Sequence, residues 1–217
     1  MKTHVIICDA KESERFPGKN QILLDHTVDW LMEEADDTTE FWYVSREDEV
    51  FPEGRIDLDN CHILFAPKNK KYDDHKSLLE WTETEINGKS NDRYVLLQLT
   101  QPVRRKGLLQ EALEASREDN VVVSYVQWTN EHWRIVDKGT LEYLDERDKE
   151  KPHRLFDGSI YVWQNDVKKI FDLPNQNKAW VANGTMPVCD IDRPWQYSTD
   201  YIKGLEELVK QNENLFN

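Results

Sequence analysis

Cysteine is scarce in this chain. The three present, Cys8, Cys61 and Cys189, are odd in number and widely separated, with no Cys-x-x-Cys pair. That argues against a disulfide framework or a cysteine-based zinc site and for reduced thiols in a cytoplasmic protein. Positive charge is also in deficit: 28 lysines and arginines against 42 aspartates and glutamates leave a formal net charge of -14. Nonspecific binding to duplex nucleic acid, which depends on basic residues displacing counterions from phosphates, is therefore not expected. An anionic nucleotide would need a local basic pocket. No apolar run is long enough for a signal-peptide core or a membrane span; the opening Val5-Ile6-Ile7-Cys8 is too short for either. The six histidines show no His-x-x-His or His-Glu-x-x-His spacing, so a zinc site is not expected either. There is no internal repeat and no low-complexity segment.

The chain does have material for a core. Hydrophobic residues are 38% of its 217 positions and eight tryptophans are scattered through it, although 32% of residues are charged. A single domain over residues 1–217 is the expectation. Strand-like runs and helical periodicities alternate along it. His4 to Cys8 predicts a buried strand. Val28, Leu31, Met32 and Ala35 predict a helix that starts at Asp25 as N-cap. Strands are predicted at Phe41 to Ser45, His62 to Phe65, Tyr94 to Gln98 and Val121 to Val126, with helices over Asp74 to Ile86 and Gly107 to Ser116. Such alternation predicts an α/β fold with a mostly parallel central sheet and helices on both faces. From Trp128 to Arg154 the pattern becomes a hairpin, Trp133 to Val136 and Leu141 to Leu144, joined through Asp137-Lys138-Gly139-Thr140. A strand at Ser159 to Trp163, a short helix from Asp166 and a closing helix from about Ser198 to Gln211 follow.

Three segments carry chemistry. Asp9 to Asn20 follows the first strand, and in open parallel sheets ligands bind beyond the carboxyl ends of strands. Lys11, Arg15 and Lys19 could meet a triphosphate there, with Ser13 and backbone N–H groups as further donors. No glycine-rich fingerprint is present, so spacing alone favours a solvated charged loop. Val95-Leu96-Leu97-Gln98-Leu99-Thr100-Gln101-Pro102-Val103-Arg104 forms a second strand end. In Cys189-Asp190-Ile191-Asp192-Arg193-Pro194, aspartates at i and i+2 on an extended strand point the same way, so both carboxylates can reach one hard cation.

Taken together these segments resemble the CMP-sialic acid synthetases (acylneuraminate cytidylyltransferases) and the related CMP-KDO synthetases. Ile7, Ser13, Arg15, Pro17, Lys19 and Asn20 fit the family's Ile-Pro-Ala-Arg-x-x-Ser-x-Arg-x-Pro-x-Lys-Asn. Leu96, Leu97, Gln98, Thr100, Pro102 and Arg104 fit its Leu-Leu-Gln-Pro-Thr-Ser-Pro-Leu-Arg, and Asp190 and Asp192 its C-terminal Asp-x-Asp. A weaker echo is Asp157-Gly158-Ser159-Ile160-Tyr161, similar to Asn-Gly-Ala-Ile-Tyr. The resemblance implies a Rossmann-like nucleotide-diphospho-sugar transferase fold and transfer of CMP from CTP to an acidic 2-keto sugar, with release of pyrophosphate. It gives Arg15 and Lys19 a catalytic role on the triphosphate and Ser13 and Asn20 nucleotide contacts. Gln98 falls in the acceptor pocket, Arg104 near the active-site rim, and Asp190 and Asp192 hold Mg²⁺. It also implies a homodimer in which the hairpin of residues 128–154 reaches the partner subunit. The chain departs from the pattern at Cys8, Asp9 and Ala10, where the family has proline, alanine and arginine. A flexible ammonium at Lys11 does not reproduce that guanidinium fork. A relative that binds nucleotide or sugar without turnover therefore stands as the alternative reading.

Overall fold

The computed structural model describes residues 1–8, 19–46, 61–67, 75–128, 133–136, 140–143 and 153–184. The elements are β1 (Thr3–Cys8), α1 (Lys19–Glu34), β2 (Thr39–Arg46), β3 (Cys61–Ala66), α2 (His75–Ile86), β4 (Arg93–Leu97), α3 (Leu108–Ala115), β5 (Asn120–Trp128), β6 (Trp133–Val136), β7 (Thr140–Tyr143), β8 (His153–Trp163), α4 (Lys168–Phe171) and β9 (Asn177–Gly184). Seven strands form one sheet in the order β3-β2-β1-β4-β8-β5-β9. Its pairs are parallel except where β8 runs antiparallel between β4 and β5. The expected mostly parallel sheet is thus observed, with one reversed strand inside it.

Period-two alternation assigns the strand residues to the two faces. Val5 and Ile7 of β1 pack with Leu23, Leu24, Val28 and Leu31 of α1 and Leu108, Leu109 and Ala112 of α3. Ile6, between them, points the other way and packs with Leu78 and Leu79 of α2, Trp163 of β8 and Ile170 of α4. Helices therefore cover both faces, which is why β1 and β4 read as unbroken apolar runs. The hairpin is present as β6 and β7, an antiparallel pair with Trp133 opposite Tyr143 and Val136 opposite Thr140. Among the described residues, no helix is long and apolar enough to cross a membrane.

Two expectations change here. Helix α1 begins at Lys19, so Asp25 is an exposed residue inside it, not its N-cap. Leu23 and Leu24 are the signal that the expectation passed over: with Thr27, Val28 and Leu31 they make a buried stripe at i, i+4 and i+8 spacing. Met32 lies off that stripe and is 50% exposed. Strand β9 is an addition to the predicted elements, because Asn177-Lys178 and Asn183-Gly184 frame only a short apolar stretch. The expected closing helix lies outside the described residues.

The core assignment predicts a contrast in urea denaturation. Leu97→Ala, in the middle of the α1/α3 face, is expected to cost about 2–5 kcal/mol. Met32→Ala is expected to change stability by less than about 0.5 kcal/mol. Equal losses at both positions would contradict the facing of α1.

Candidate active site at the carboxyl end of the sheet

Strands β1, β4, β5 and β9 run in one direction, so their carboxyl ends share one edge of the fold; β8, running the other way, begins there. Strand pairing is disturbed at this edge on both sides of β5. Against β8 the register passes from Val123 opposite Tyr161 to Tyr125 opposite Phe156, so residues 157–160 form a bulge facing Ser124. Against β9 it passes from Tyr125 opposite Ala182 to Val126 opposite Gly184, leaving Asn183 out of the ladder. Bulges of this kind re-aim side chains next to functional sites. Gly158 has φ +67°, a conformation that L side chains rarely adopt.

The re-aimed side chains make a buried polar cluster. Asp157 Oδ1 accepts from Ser124 Oγ at 2.5 Å and from the Ser159 N–H at 3.4 Å. Its Oδ2 accepts from Ser159 Oγ at 2.6 Å and from Asn183 Nδ2 at 2.8 Å. Asn183 Nδ2 also lies 3.1 Å from the Val103 carbonyl, and its Oδ1 accepts from the Arg105 N–H at 3.0 Å. The donors around residue 157 explain why an aspartate stands where the resembling motif has asparagine. A carboxylate accepts at both oxygens, whereas an amide would turn an NH₂ towards one set of donors.

Arg104 extends this framework. Its guanidinium donates to the Ser159 carbonyl (3.0 Å), Thr27 Oγ1 of α1 (3.2 Å) and the Gln98 carbonyl (2.7 Å), and its plane lies 5.4 Å from the Trp30 ring. Arg104, expected near the active-site rim, is 5% exposed, and its fork ties the end of β4 to α1 and β8. The fixed fork geometry suits three acceptors at once, which a lysine could not reach together.

Gln98 follows β4 directly and is half-buried. Its Nε2 lies 3.4 Å from Tyr161 Oη. In either orientation of the carboxamide, the pair retains hydrogen-bonding capacity for a ligand. Burial, together with the Asp157 charge and against the Gln98 hydrogen bond, pushes the Tyr161 phenol up to about 12, so it remains a donor at neutral pH. A Cβ on Gly158 would stand 3.2 Å from Tyr161 Oη and 3.4 Å from Gln98 Oε1, so this pair packs closely against the bare glycine backbone. Phe156 packs edge-on against Tyr161 (5.7 Å) and Trp180 (6.5 Å), and both Phe156 and Trp180 are nearly half exposed, at 45% and 47%. Two polar groups beside exposed aromatic faces suit a ligand with hydroxyls on one side and an apolar face on the other.

Of the residues singled out in the sequence, Gln98 and Arg104 meet here. Asn20 is half-buried in the first turn of α1. Because α1 joins the parallel strands β1 and β2, its amino end returns at the carboxyl end of the sheet, where helix N–H groups favour anions. Ser13, Arg15, Asp190 and Asp192, and the side chain of Lys19, lie outside the described residues. Among the described residues no group of His, Cys, Asp or Glu could hold a metal ion. Sequence reasoning assigned Asn183 and Trp180 no place here and Tyr161 only a place in a weak motif echo; the further signal was Gly158 in that same echo, a glycine within an otherwise β-forming run.

Comparison with known proteins gives likeness in structure only. No protein-family model matches the chain, and no curated protein matches it. The fold is similar to a 4-diphosphocytidyl-2C-methyl-D-erythritol synthase at 8% identity and TM-score 0.60, covering 96% of this chain and 98% of that one. It is also similar to 2-C-methyl-D-erythritol 4-phosphate cytidylyltransferases. The Francisella tularensis enzyme gives 10% identity and TM-score 0.57 over 96% and 100% of the two chains. The Thermus thermophilus enzyme gives 13% identity and TM-score 0.56 over 97% and 100%.

Two measurements check the site. Asp157→Asn should lose about 1–3 kcal/mol in urea, since one buried donor is left facing another. In an alkaline titration followed by tyrosinate absorbance, one phenol should ionise near 12 and be absent from Tyr161→Phe. The sign follows from the raised value: above the unfolded tyrosine value the native state holds the extra proton. Its contribution to stability is therefore lost as pH rises from about 10 to about 12. At these identities the likeness to the three solved structures is one of fold: a Rossmann-type α/β sheet shared over almost the whole chain.

Proposed function

We propose that the chain is a Mg²⁺-dependent cytidylyltransferase that transfers CMP from CTP to the hydroxyl of an acidic 2-keto sugar of the sialic acid kind, releasing pyrophosphate. The observation that carries this reading is topological. β1 and β4 are hydrogen-bonded parallel neighbours, so the segments that follow them, residues 9–20 and 98–104, leave the sheet from adjacent strands at one edge. β9 runs the same way and precedes Asp190 and Asp192 in the sequence. The three motifs that resemble one family in sequence thus each follow a strand whose carboxyl end lies at the same edge. The likeness in fold to solved cytidylyltransferases supports the same reading.

In this reading Arg15 and Lys19 meet the triphosphate, with Ser13 and Asn20 as further nucleotide contacts. Asp190 and Asp192 would hold Mg²⁺, which supplies positive charge where negative charge spreads over the phosphate oxygens. Gln98 and Tyr161 bind acceptor hydroxyls, Phe156 and Trp180 cover an apolar face of the sugar, and Arg104 keeps Gln98 in place. The acceptor hydroxyl attacks the α-phosphorus of CTP, the bond to the β-phosphate oxygen breaks, and pyrophosphate leaves. The hairpin of β6 and β7 serves a homodimer. Ala10, where the resembling family has arginine, favours one other reading: a relative that binds nucleotide or sugar without turnover.

Thermal shift with CTP, UTP, ATP and GTP, with and without Mg²⁺, tests the nucleotide site without an acceptor. At one hundred times the dissociation constant, CTP should stabilise the protein by about 2.7 kcal/mol, on the order of 5–10 °C for a domain of this size. The shift should be reduced in Lys19→Ala and Asp190→Ala. Pyrophosphate release is then screened with 2-keto sugar acids and with polyol phosphates. Release with the former is the expected result. Release only with the latter would reassign the acceptor, and binding without release would favour the non-catalytic reading. No shift with any nucleotide would sink the proposal.

A further inference from the structure

A second buried polar cluster lies at the opposite end of the sheet, where the parallel strands begin. His4 of β1 is 3% exposed, with Glu40 of β2 and Tyr94 of β4 as its neighbours in register. Its Nε2 lies 3.4 Å from Asp92 Oδ2. Its Nδ1 lies 3.2 Å from Glu40 Oε2 and also receives the Trp42 indole N–H at 3.2 Å. The Tyr94 ring packs 5.2 Å away, and a Cβ on Gly88 would come within 2.9 Å of Nε2, so the turn after α2 closes over the imidazole.

The surrounding groups are themselves fixed. Asp92 accepts the backbone N–H groups of Lys2 (2.7 Å) and Lys89 (2.9 Å), and Glu40 pairs with Lys2 Nζ. Burial opposes the ionisation of both carboxyls, but these donors and His4, joined at Glu40 by His62, outweigh it and hold both below the ordinary carboxylate range. From β3, His62 stacks on Trp42 at 4.3 Å. The Tyr94 phenol accepts the Gly88 N–H at 3.1 Å, and Glu83 of α2 faces that phenol while accepting from Trp163 Nε1.

Nδ1 of His4 thus has two claimants of opposite kind. An indole N–H can only donate, so its bond needs a lone pair on Nδ1 and a neutral ring with its proton on Nε2, towards Asp92. An ionised Glu40 can only accept, so its bond needs a proton on Nδ1; with Nε2–H on Asp92, that ring is the imidazolium. The two bonds exclude each other. We propose that His4 is a proton-operated switch between β1 and β2: the neutral ring binds Trp42, and the protonated ring, its proton taken from solvent, releases Trp42 and binds Glu40. The indole so released is the one stacked on His62, which carries the change to the edge strand β3. The switch is independent of the nucleotide site and stands whether or not CTP binds.

Nitrogen-15 NMR of the whole chain tests it. His4 ring nitrogens and the Trp42 indole resonance are followed from about pH 5 to pH 8, the range in which histidine charge ordinarily changes. The indole should shift with the same midpoint as His4 Nδ1. That midpoint should move to lower pH in Glu40→Gln and to higher pH in Trp42→Phe, which keeps an aromatic ring but loses the donor. The indole response should persist in His62→Gln. An indole that stays still while His4 titrates, a His4 ring held in one protonation state throughout, or a response lost in His62→Gln would each overturn the proposal.

Discussion

A carboxylate buried at the end of a sheet needs its donors before the sheet can close, and Asp157 draws them from three strands. Ser124 belongs to β5, Ser159 to β8 and Asn183 to β9. Through Asn183 the same cluster reaches the loop after β4 at Val103 and Arg105, and through Ser159 it reaches Arg104, which in turn holds Gln98 and α1. An unpaired charge at such depth costs far more than any one of these bonds returns, so the cluster is satisfied as a whole or destabilising as a whole. That condition fixes where the two bulges lie, and the bulges in turn set Gly158 beside Gln98 and Tyr161. The placing of that polar pair therefore follows from how the strand ends satisfy a buried carboxylate.

Periodicity made much of this fold legible. Apolar runs in β1 and β4 mark strands covered on both faces, and helical spacing located α2 and α3 to within a residue or two at each end. What it could not give was strand order or direction. Ser159 to Trp163 reads as a strand whichever way it runs, and nothing in its composition separates an antiparallel insertion from another parallel crossover. β9 escaped because polar asparagines and a glycine frame its short apolar centre.

The site was legible where a residue type is tied to a chemistry, and less so where position decides the role. Gln98 and Arg104 could be picked out by their motif, but only the fold separates a glutamine with hydrogen-bonding capacity to spare from an arginine that braces it. Asp157 looked like a substitution of asparagine; the surrounding hydroxyl and amide donors make a carboxylate the better match. Asn183 and Trp180 lie far along the chain from these residues, and only the pairing of β9 with β5 brings them near. Such neighbours are set by tertiary pairing and leave no local pattern to read.

Strand β8 begins where β5 ends: Trp128 and His153 face each other across the last rungs of the ladder. The chain between them, β6 and β7 included, therefore departs from and returns to the same edge as the candidate site, with both its anchors already joined. For such an excursion added length costs little, since doubling a closed loop adds only about 0.6 kcal/mol of chain entropy. The reversed strand thus roots both ends of this arm at the edge that carries the candidate site, beside the buried cluster.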